Sequence, residues 1–273
     1  MGANEVHVND IAEFIEAVSR LKRNWFSKEP NWGPWFRGHA QADWKLTPKL
    51  YRRGPTRRRL RDIEDEIRQE FIIRAPGLIG LTEEKPQNAW EWYFIMQHSG
   101  APTRLLDWTE GALVALYFAV RDSDGTKDAS VWALEPWKLN ERFLKEPEVL
   151  APGASAVILD SDAARYGPWL PHIYVREAEL PDSPIAVYPS HIGRRVSTQR
   201  SCFTVHGSDV EGLDRLVCEG WPFLVNVIVS SSAVQTLVEQ LALFGVDELS
   251  IFPDIDGLGR LLSTTLKTEP DEN

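Results

Sequence analysis

The sequence predicts an α+β fold with its helices gathered in the first half and its strands in the second. Up to about residue 121, apolar residues recur at the three- and four-residue spacing of amphipathic helices. From Ala129 onward, short β-branched or aromatic runs bounded by Pro, Gly, Ser or Asp take over. The two patterns do not alternate as a parallel βαβ fold requires, so helices should pack on a mostly antiparallel or mixed β core.

Each element has its own signal. Ile11, Phe14, Ile15, Val18 and Leu21 share a helical face, and Asp10 with Glu13 reads as an N-cap with its third-position acid. Asn31-Trp32-Gly33-Pro34 breaks the chain before a short strand at Trp35 to Arg37, where alternation sets Phe36 and Arg37 on opposite faces. Ile63, Ile67 and Phe71 mark a second helix that stops near Pro76-Gly77. A third helix runs from about Asn88 to Gln97 and closes at Gly100, which can take positive φ. Residues 97–109 read as a helix exit and loop, followed by a fourth helix from about Glu110 to Arg121.

In the second half, Ser130 to Leu134, Ile185 to Tyr188, Val196 to Val205 and Phe223 to Val229 read as strands. Ser232 with Gln235 has the capping-box spacing and opens a helix that Gly245 closes. A last strand at Leu249 to Phe252 and a terminal helix from about Asp254 complete the pattern. One domain over residues 1–266 is expected, with 1–30 as an N-terminal helical segment and 267–273 as a disordered tail.

Composition narrows the function classes. A chain of 273 residues with 43% hydrophobic content can bury a full core. The sequence has no apolar run of about 18 residues and no signal-peptide pattern, so a cytoplasmic protein that neither spans nor binds a membrane is expected. Only Cys202 and Cys218 occur, too few for a disulfide scaffold or a thiolate metal site. The net charge of −10 disfavours general binding to nucleic-acid backbones. Arg52, Arg53, Arg57, Arg58, Arg59 and Arg61 form a local exception that either holds phosphates or balances Asp62 and Asp65 on a helix face. No dinucleotide glycine motif, P-loop, zinc motif or serine-hydrolase elbow is present, and no metal is expected.

Several residues have chemistry suited to a site. Arg37 stands beside Gly38, where a ligand can approach closely and a guanidinium can hold phosphate oxygens in bidentate fashion. His98, Arg104 and Asp107 flank a glycine-proline turn; Asp107 and Arg104 read either as a helix cap paired with its arginine or as part of a site. Ser197, Thr198, Gln199, Ser201 and Phe203 can hydrogen-bond a ribose or amide while the ring stacks, and ordinary strand polarity accounts for them equally. Glu248, ahead of an apolar strand, reads as a cleft acid or as a loop acid.

The ordered segments Trp35-Phe36-Arg37-Gly38, 46–52 (LTPKLYR), 97–109 (QHSGAPTRLLDWT) and 115–119 (ALYFA) resemble the FRG domain family, named for its Phe-Arg-Gly triplet. The resemblance continues at 195–204 and 243–262 and implies a bacterial or phage-conflict setting, such as a toxin or defence effector. An early strand Arg, a middle Ser/Thr strand and a late Glu also resemble the Arg-Ser-Glu order of ADP-ribosyltransferases, whose split α+β core binds NAD between two sheets. That resemblance implies that Arg37 holds the NAD phosphates and that Ser197, Thr198 or Ser201 orients the nicotinamide ribose, while Glu248 stabilises the departing sugar's charge. On this reading His98 joins Glu248 as catalytic, and Gly38, Gln199, Phe203 and Arg104 join the NAD contacts. NAD is then the substrate and a protein, nucleic acid or water the acceptor. Two other classes stay open: a non-catalytic nucleotide or nucleic-acid binding module, and a metal-independent nuclease using His98, Arg104 and Asp107.

Overall fold

The structure, a computed structural model, describes residues 4–29, 31–52, 60–80, 85–152, 166–170, 181–189 and 200–265. Its frame is a seven-stranded sheet: β1 (Glu5–Val8), β2 (Trp35–His39), β3 (Leu105–Thr109), β4 (Ala129–Leu134), β5 (Ile185–Val187), β6 (Ser201–Val205) and β7 (Leu224–Val229), in the order β1-β7-β4-β2-β3-β6-β5. Only β1 and β7 run parallel; every other neighbouring pair is antiparallel. The helices are α1 (Ile11–Trp25), α2 (Leu60–Arg74), α3 (Ala89–His98), α4 (Ala112–Arg121), α5 (Pro136–Leu144), α6 (Gly212–Cys218), α7 (Val234–Leu243), α8 (Glu248–Ile251) and α9 (Ile255–Thr265). The chain is therefore mixed α+β with a mostly antiparallel sheet, but the expected helical first half is corrected: β1 to β4 lie within residues 5–134, and α6 to α9 follow residue 211.

The middle of the sheet matters most for the site. β2 pairs with β4 over five residues but with β3 through Phe36 and Thr109 alone. Two half-sheets, β1-β7-β4-β2 and β3-β6-β5, are thus stitched at one point and part beyond it. One face of the first half is covered by α1, α4 and α7, which bury Phe14, Leu116 and Leu237 against Phe36, Val131 and Val227. On the same face of the second half, Tyr93, Phe94 and Met96 of α3 pack on Leu105, Phe203 and Val205. The opposite face carries Trp35, Leu106, Trp132 and Leu134, covered by Leu46 and by Leu139 of α5 and Leu213 and Leu216 of α6.

Local chemistry explains most boundaries. The Asp10 side chain accepts from the Glu13 amide at 2.8 Å to cap α1, and Asn88 accepts from Glu91 at 3.0 Å to cap α3. Gly100 and Gly245 follow α3 and α7 with φ of 77° and 73°, the left-handed closure glycine permits.

Three expectations need correction. Residues 105–109 are not a loop but β3, whose burial on both faces hides the alternation that marks a strand. Asp107 accordingly sits mid-strand, and Gly111 occupies the cap of α4. Residues 249–252 do not form a last strand: Asp247 and Ser250 close a capping box that starts the helical turn α8 at Glu248. A four-residue apolar run cannot distinguish strand from helix by periodicity, and the Asp-Glu-Leu-Ser box was the stronger signal. At residues 232–235 no side-chain cap forms; a 3₁₀ turn at Ser231–Ala233 leads into α7. The expected strand from Val196 begins, within the described residues, at Ser201; residues 196–199 and the proposed tail at 267–273 lie outside them.

Candidate functional site

Strand alternation on β2 builds the site. Phe36 and Gly38 face α4, where a Cβ on Gly38 would lie 2.1 Å from the Ala115 carbonyl oxygen and 2.6 Å from the Ala119 nitrogen. Only glycine lets the helix sit this close. Gly38 is therefore a packing residue on the helix side, and its backbone also borders the cavity.

Arg37 points from the other face into the opening between the half-sheets. Its Nη1 donates to the Asp107 carbonyl oxygen at 2.7 Å, and its Nε donates to His39 Nε2 at 3.1 Å. His39 is thus neutral, with its hydrogen on Nδ1. Burial above all, then Arg37 and Arg52, push the His39 imidazolium down to about 3. Arg37 is itself pushed down to about 10, by burial first; Asp107 opposes this and Arg52 adds to it. The Asp107 carboxylate stays 3.8 Å from Arg37 because Gln97 Nε2 holds it at 2.7 Å.

Arg37, His39, Trp44, Tyr51 and Arg52 line a cavity of about 550 Å³, closed on its far side by Val210, Glu211 and Asp214 near the start of α6. The two acids differ in how firmly they are held. Asp214 accepts from the Leu46 amide at 2.9 Å and Thr47 Oγ1 at 3.2 Å, and Glu211 lies 3.9 Å from Lys45. Two guanidiniums thus line one pocket, an arrangement that an anion relieves. Trp44, 48% exposed at the rim, offers an indole face for ring stacking. A larger cavity of about 790 Å³ lies at the other end of β2, between Trp32, Trp137 and Tyr188, but Glu110, Glu146 and Glu148 line it and disfavour anions.

The other expected site residues lie elsewhere. Arg104 is buried; its Nε donates to Glu64 at 2.7 Å, and its Nη atoms to the carbonyls of His206 and Trp169, each at 2.6 Å. Burial alone would push its pKa down, but Glu64 and the neighbouring tyrosines outweigh that and raise it. Tyr93 completes the network by donating to Glu64 at 2.5 Å and accepting the Arg104 amide at 2.9 Å. Arg104 is thus a structural lock that pairs with Glu64 rather than Asp107, buried and away from the residues that line the Arg37 cavity. Phe203 is likewise core, stacked on Phe94 with ring centroids 5.3 Å apart. Ser201 pairs with Thr109 and so shares the face of Phe36, not that of Arg37. Ser197, Thr198 and Gln199 lie outside the described residues.

Glu248 lies on the α4 side of the sheet, opposite Arg37. It accepts from Tyr117 of α4 and from Arg260 of α9, and Arg121 stands 3.3 Å away. Burial pushes its carboxyl up, but these donors outweigh it and hold the pKa below the usual value. Its role as a cleft acid beside Arg37 is therefore corrected: it ties α8 and α9 to α4. His98 is exposed at the last turn of α3, where a basic group complements the helix dipole; its neighbour Gln97 is the residue that reaches Asp107.

The family model described as FRG domain matches residues 33–128. The chain carries an FRG domain. Its matched span holds the three segments that meet around Arg37: β2, the turn through Tyr51 and Arg52, and β3 with Asp107. The segments at 195–204 and 243–262 fall outside the match. Comparison with curated proteins gives no match, and neither does comparison with solved structures. Sequence reasoning missed Trp44, Tyr51 and Asp214 as lining residues. Their signal was partly present: Tyr51 and Arg52 end the LTPKLYR segment of the FRG domain, and Arg52 opens the arginine cluster.

Proposed function

We propose that the FRG domain binds the phosphates of a nucleotide between Arg37 and Arg52, with a ring of that ligand on Trp44. The convergence of two guanidiniums in one cavity, where Asp214 is held by Leu46 and Thr47 and Asp107 by Gln97, carries this reading. The volume suits a nucleotide, which typically occupies sites of roughly 300–1,000 Å³.

On that ligand we propose the chemistry of an NAD-consuming, ADP-ribosyltransferase-like enzyme acting on a macromolecular acceptor in a defence or toxin setting. The support is positional: Arg37 stands where a sheet held by one residue pair opens, as expected of a split NAD-binding core. Glu211 is then the acid suited to stabilise the oxocarbenium-like sugar, because it lines the cavity and its carboxylate lies 3.9 Å from an exposed lysine, too far to be held firmly. Incubation with NAD labelled in its adenylate part tests both steps. Label on protein or nucleic acid, or released ADP-ribose, supports transfer or hydrolysis. Saturable NAD binding with no turnover in the presence of lysate favours the binding-module reading instead.

A further inference from the structure

The cavity at the other end of β2 has the opposite chemistry. Trp32, Trp137 and Tyr188 form its aromatic wall, with Glu110, Glu146 and Glu148 beside them, in a volume of about 790 Å³. No lysine or arginine is among its described lining residues, and none of them lines the Arg37 cavity. The Trp32 and Trp137 indoles stack with ring centroids 4.6 Å apart and planes 4° from parallel, and Trp32 stays 37% exposed. The acidic wall is fixed by its backbone. Asn140, fully buried, donates to the Glu148 carbonyl at 2.6 Å and exchanges two hydrogen bonds with the backbone of Ala186 in β5, at 2.7 and 2.9 Å. The Tyr188 amide donates to the Leu150 carbonyl at 2.8 Å. The segment that carries Glu146 and Glu148 is thus pinned beside β5 while both residues remain exposed. Across from it, Tyr188 Oη donates to Glu110 Oε1 at 2.9 Å, and the largely exposed Arg200 stands 3.5 Å from the other oxygen.

We propose that this cavity docks an arginine-rich segment of a partner protein. Charge complementarity selects a cation, and the aromatic wall adds the attraction of a ring face for positive charge. A guanidinium suits the wall better than an ammonium, because it is planar, stacks on an indole and pairs with a carboxylate through two parallel hydrogen bonds. The volume falls among sites that enclose whole ligands, roughly 300–1,000 Å³, so a few residues rather than one side chain occupy it. Trp35 alternates with Phe36 and so shares the Arg37 face of β2; it meets Tyr188 with ring centroids 5.1 Å apart. A partner anchored here therefore stands on the face of the sheet where the Arg37 cavity opens.

The experiment measures calorimetric binding of tetra-arginine, tetra-lysine and inorganic pyrophosphate to the full chain. Tetra-arginine should bind saturably, at least roughly fivefold tighter than tetra-lysine, and weaken as salt is added. Trp32→Leu and Glu146→Gln change exposed side chains, so the fold should hold. Each should weaken tetra-arginine by about five- to tenfold and leave pyrophosphate unchanged. Glu16→Gln, at an exposed acid of α1, controls for the net charge of −10 and should change neither. Equal affinity for the two peptides, a matching loss in Glu16→Gln, or no loss in either cavity variant overturns the docking site. Self-association of the wild type that both cavity variants abolish would give the cavity to a second copy of this chain and overturn the foreign partner. The nucleotide reading fails separately, if Arg37→Lys leaves pyrophosphate affinity unchanged.

Discussion

Two arginines of the FRG domain, Arg37 and Arg104, stand in mirrored settings and do opposite things. Each is largely buried, and each lies near a neutral buried histidine, His39 for one and His206 for the other, pushed down to about 3 chiefly by burial. The difference is in what answers the charge. Arg104 has a carboxylate and two carbonyls within hydrogen-bonding distance, so each of its three nitrogens donates. Arg37 has one carbonyl, an imidazole and a carboxylate at 3.8 Å, and faces a second guanidinium across a cavity. Burial alone does not mark a site; incomplete neutralisation in a buried place does.

The largest effect should come from breaking the satisfied arginine. Arg104→Ala leaves Glu64 buried without its counter-charge, and removing one partner of such a pair typically costs about 3–5 kcal/mol. Urea unfolding should show that loss, or no folded protein at all. Glu64→Gln should cost less, because the amide still accepts from Arg104. A loss below about 1 kcal/mol for Arg104→Ala would place Arg104 back among ligand contacts and dissolve the comparison.

The two histidines give the next effect, through pH. Each has a folded pKa below its usual 6.5, so the unfolded chain binds the extra proton and stability falls as pH drops from about 6.5 towards 3. Glu135 opposes this: burial pushes its carboxyl up to about 7, so between its usual 4.5 and about 7 the folded state binds the extra proton. Two histidines against one glutamate leave a net of about one proton. Stability should therefore fall by about 1.4 kcal/mol per pH unit from pH 6.5 to 5, and Glu135→Gln should roughly double that slope. A wild-type slope of zero would mean that one histidine is charged in the fold.

How much of this was legible in the sequence divides along the same line. The arginine of the Phe-Arg-Gly triplet was visible because alternation around Phe36 fixes its face. The role of Arg104 was half visible: a scaffold function was one open reading, but its partner Glu64 lies 40 residues away on α2, and no local pattern predicts a pairing at that separation. Asp107 looked like a helix cap because a strand buried on both sides carries no alternation. Glu248 fitted an order of residues along the chain, yet the sheet sets it on the face opposite Arg37, and residue order says nothing about faces. Trp44 and Asp214 reach the cavity from segments whose convergence depends on tertiary packing alone.

Arg37→Lys should act on binding rather than on folding. Lysine keeps the charge but loses the planar fork, so pyrophosphate and NAD affinity should fall at least roughly tenfold, or about 1.4 kcal/mol, with a stability change below about 1 kcal/mol. Calorimetry on the folded variant separates the two. A stability loss matching that of Arg104→Ala, with affinity intact, would make Arg37 a second structural lock.

The smallest expected effect belongs to Glu248→Gln, and it sharpens the comparison by testing a charge cluster that resembles a site only in composition. Glu248 is ringed by Tyr117, Arg121 and Arg260, and Phe252 lies between the two guanidiniums at 5.1 and 4.9 Å from its ring centroid. The glutamine can still accept from Tyr117, and both arginines reach solvent, so losing the carboxylate should cost no more than about 1 kcal/mol of stability. Ligand affinity and any NAD turnover should be unchanged, because the sheet separates Glu248 from the Arg37 cavity. Glu211→Gln, in contrast, should lower turnover by roughly 10²–10³ if that carboxylate stabilises the sugar cation. Should Glu248→Gln lose turnover while Glu211→Gln keeps it, the reaction would belong to the α4 side of the sheet, and Arg37 would be an anion site away from the chemistry.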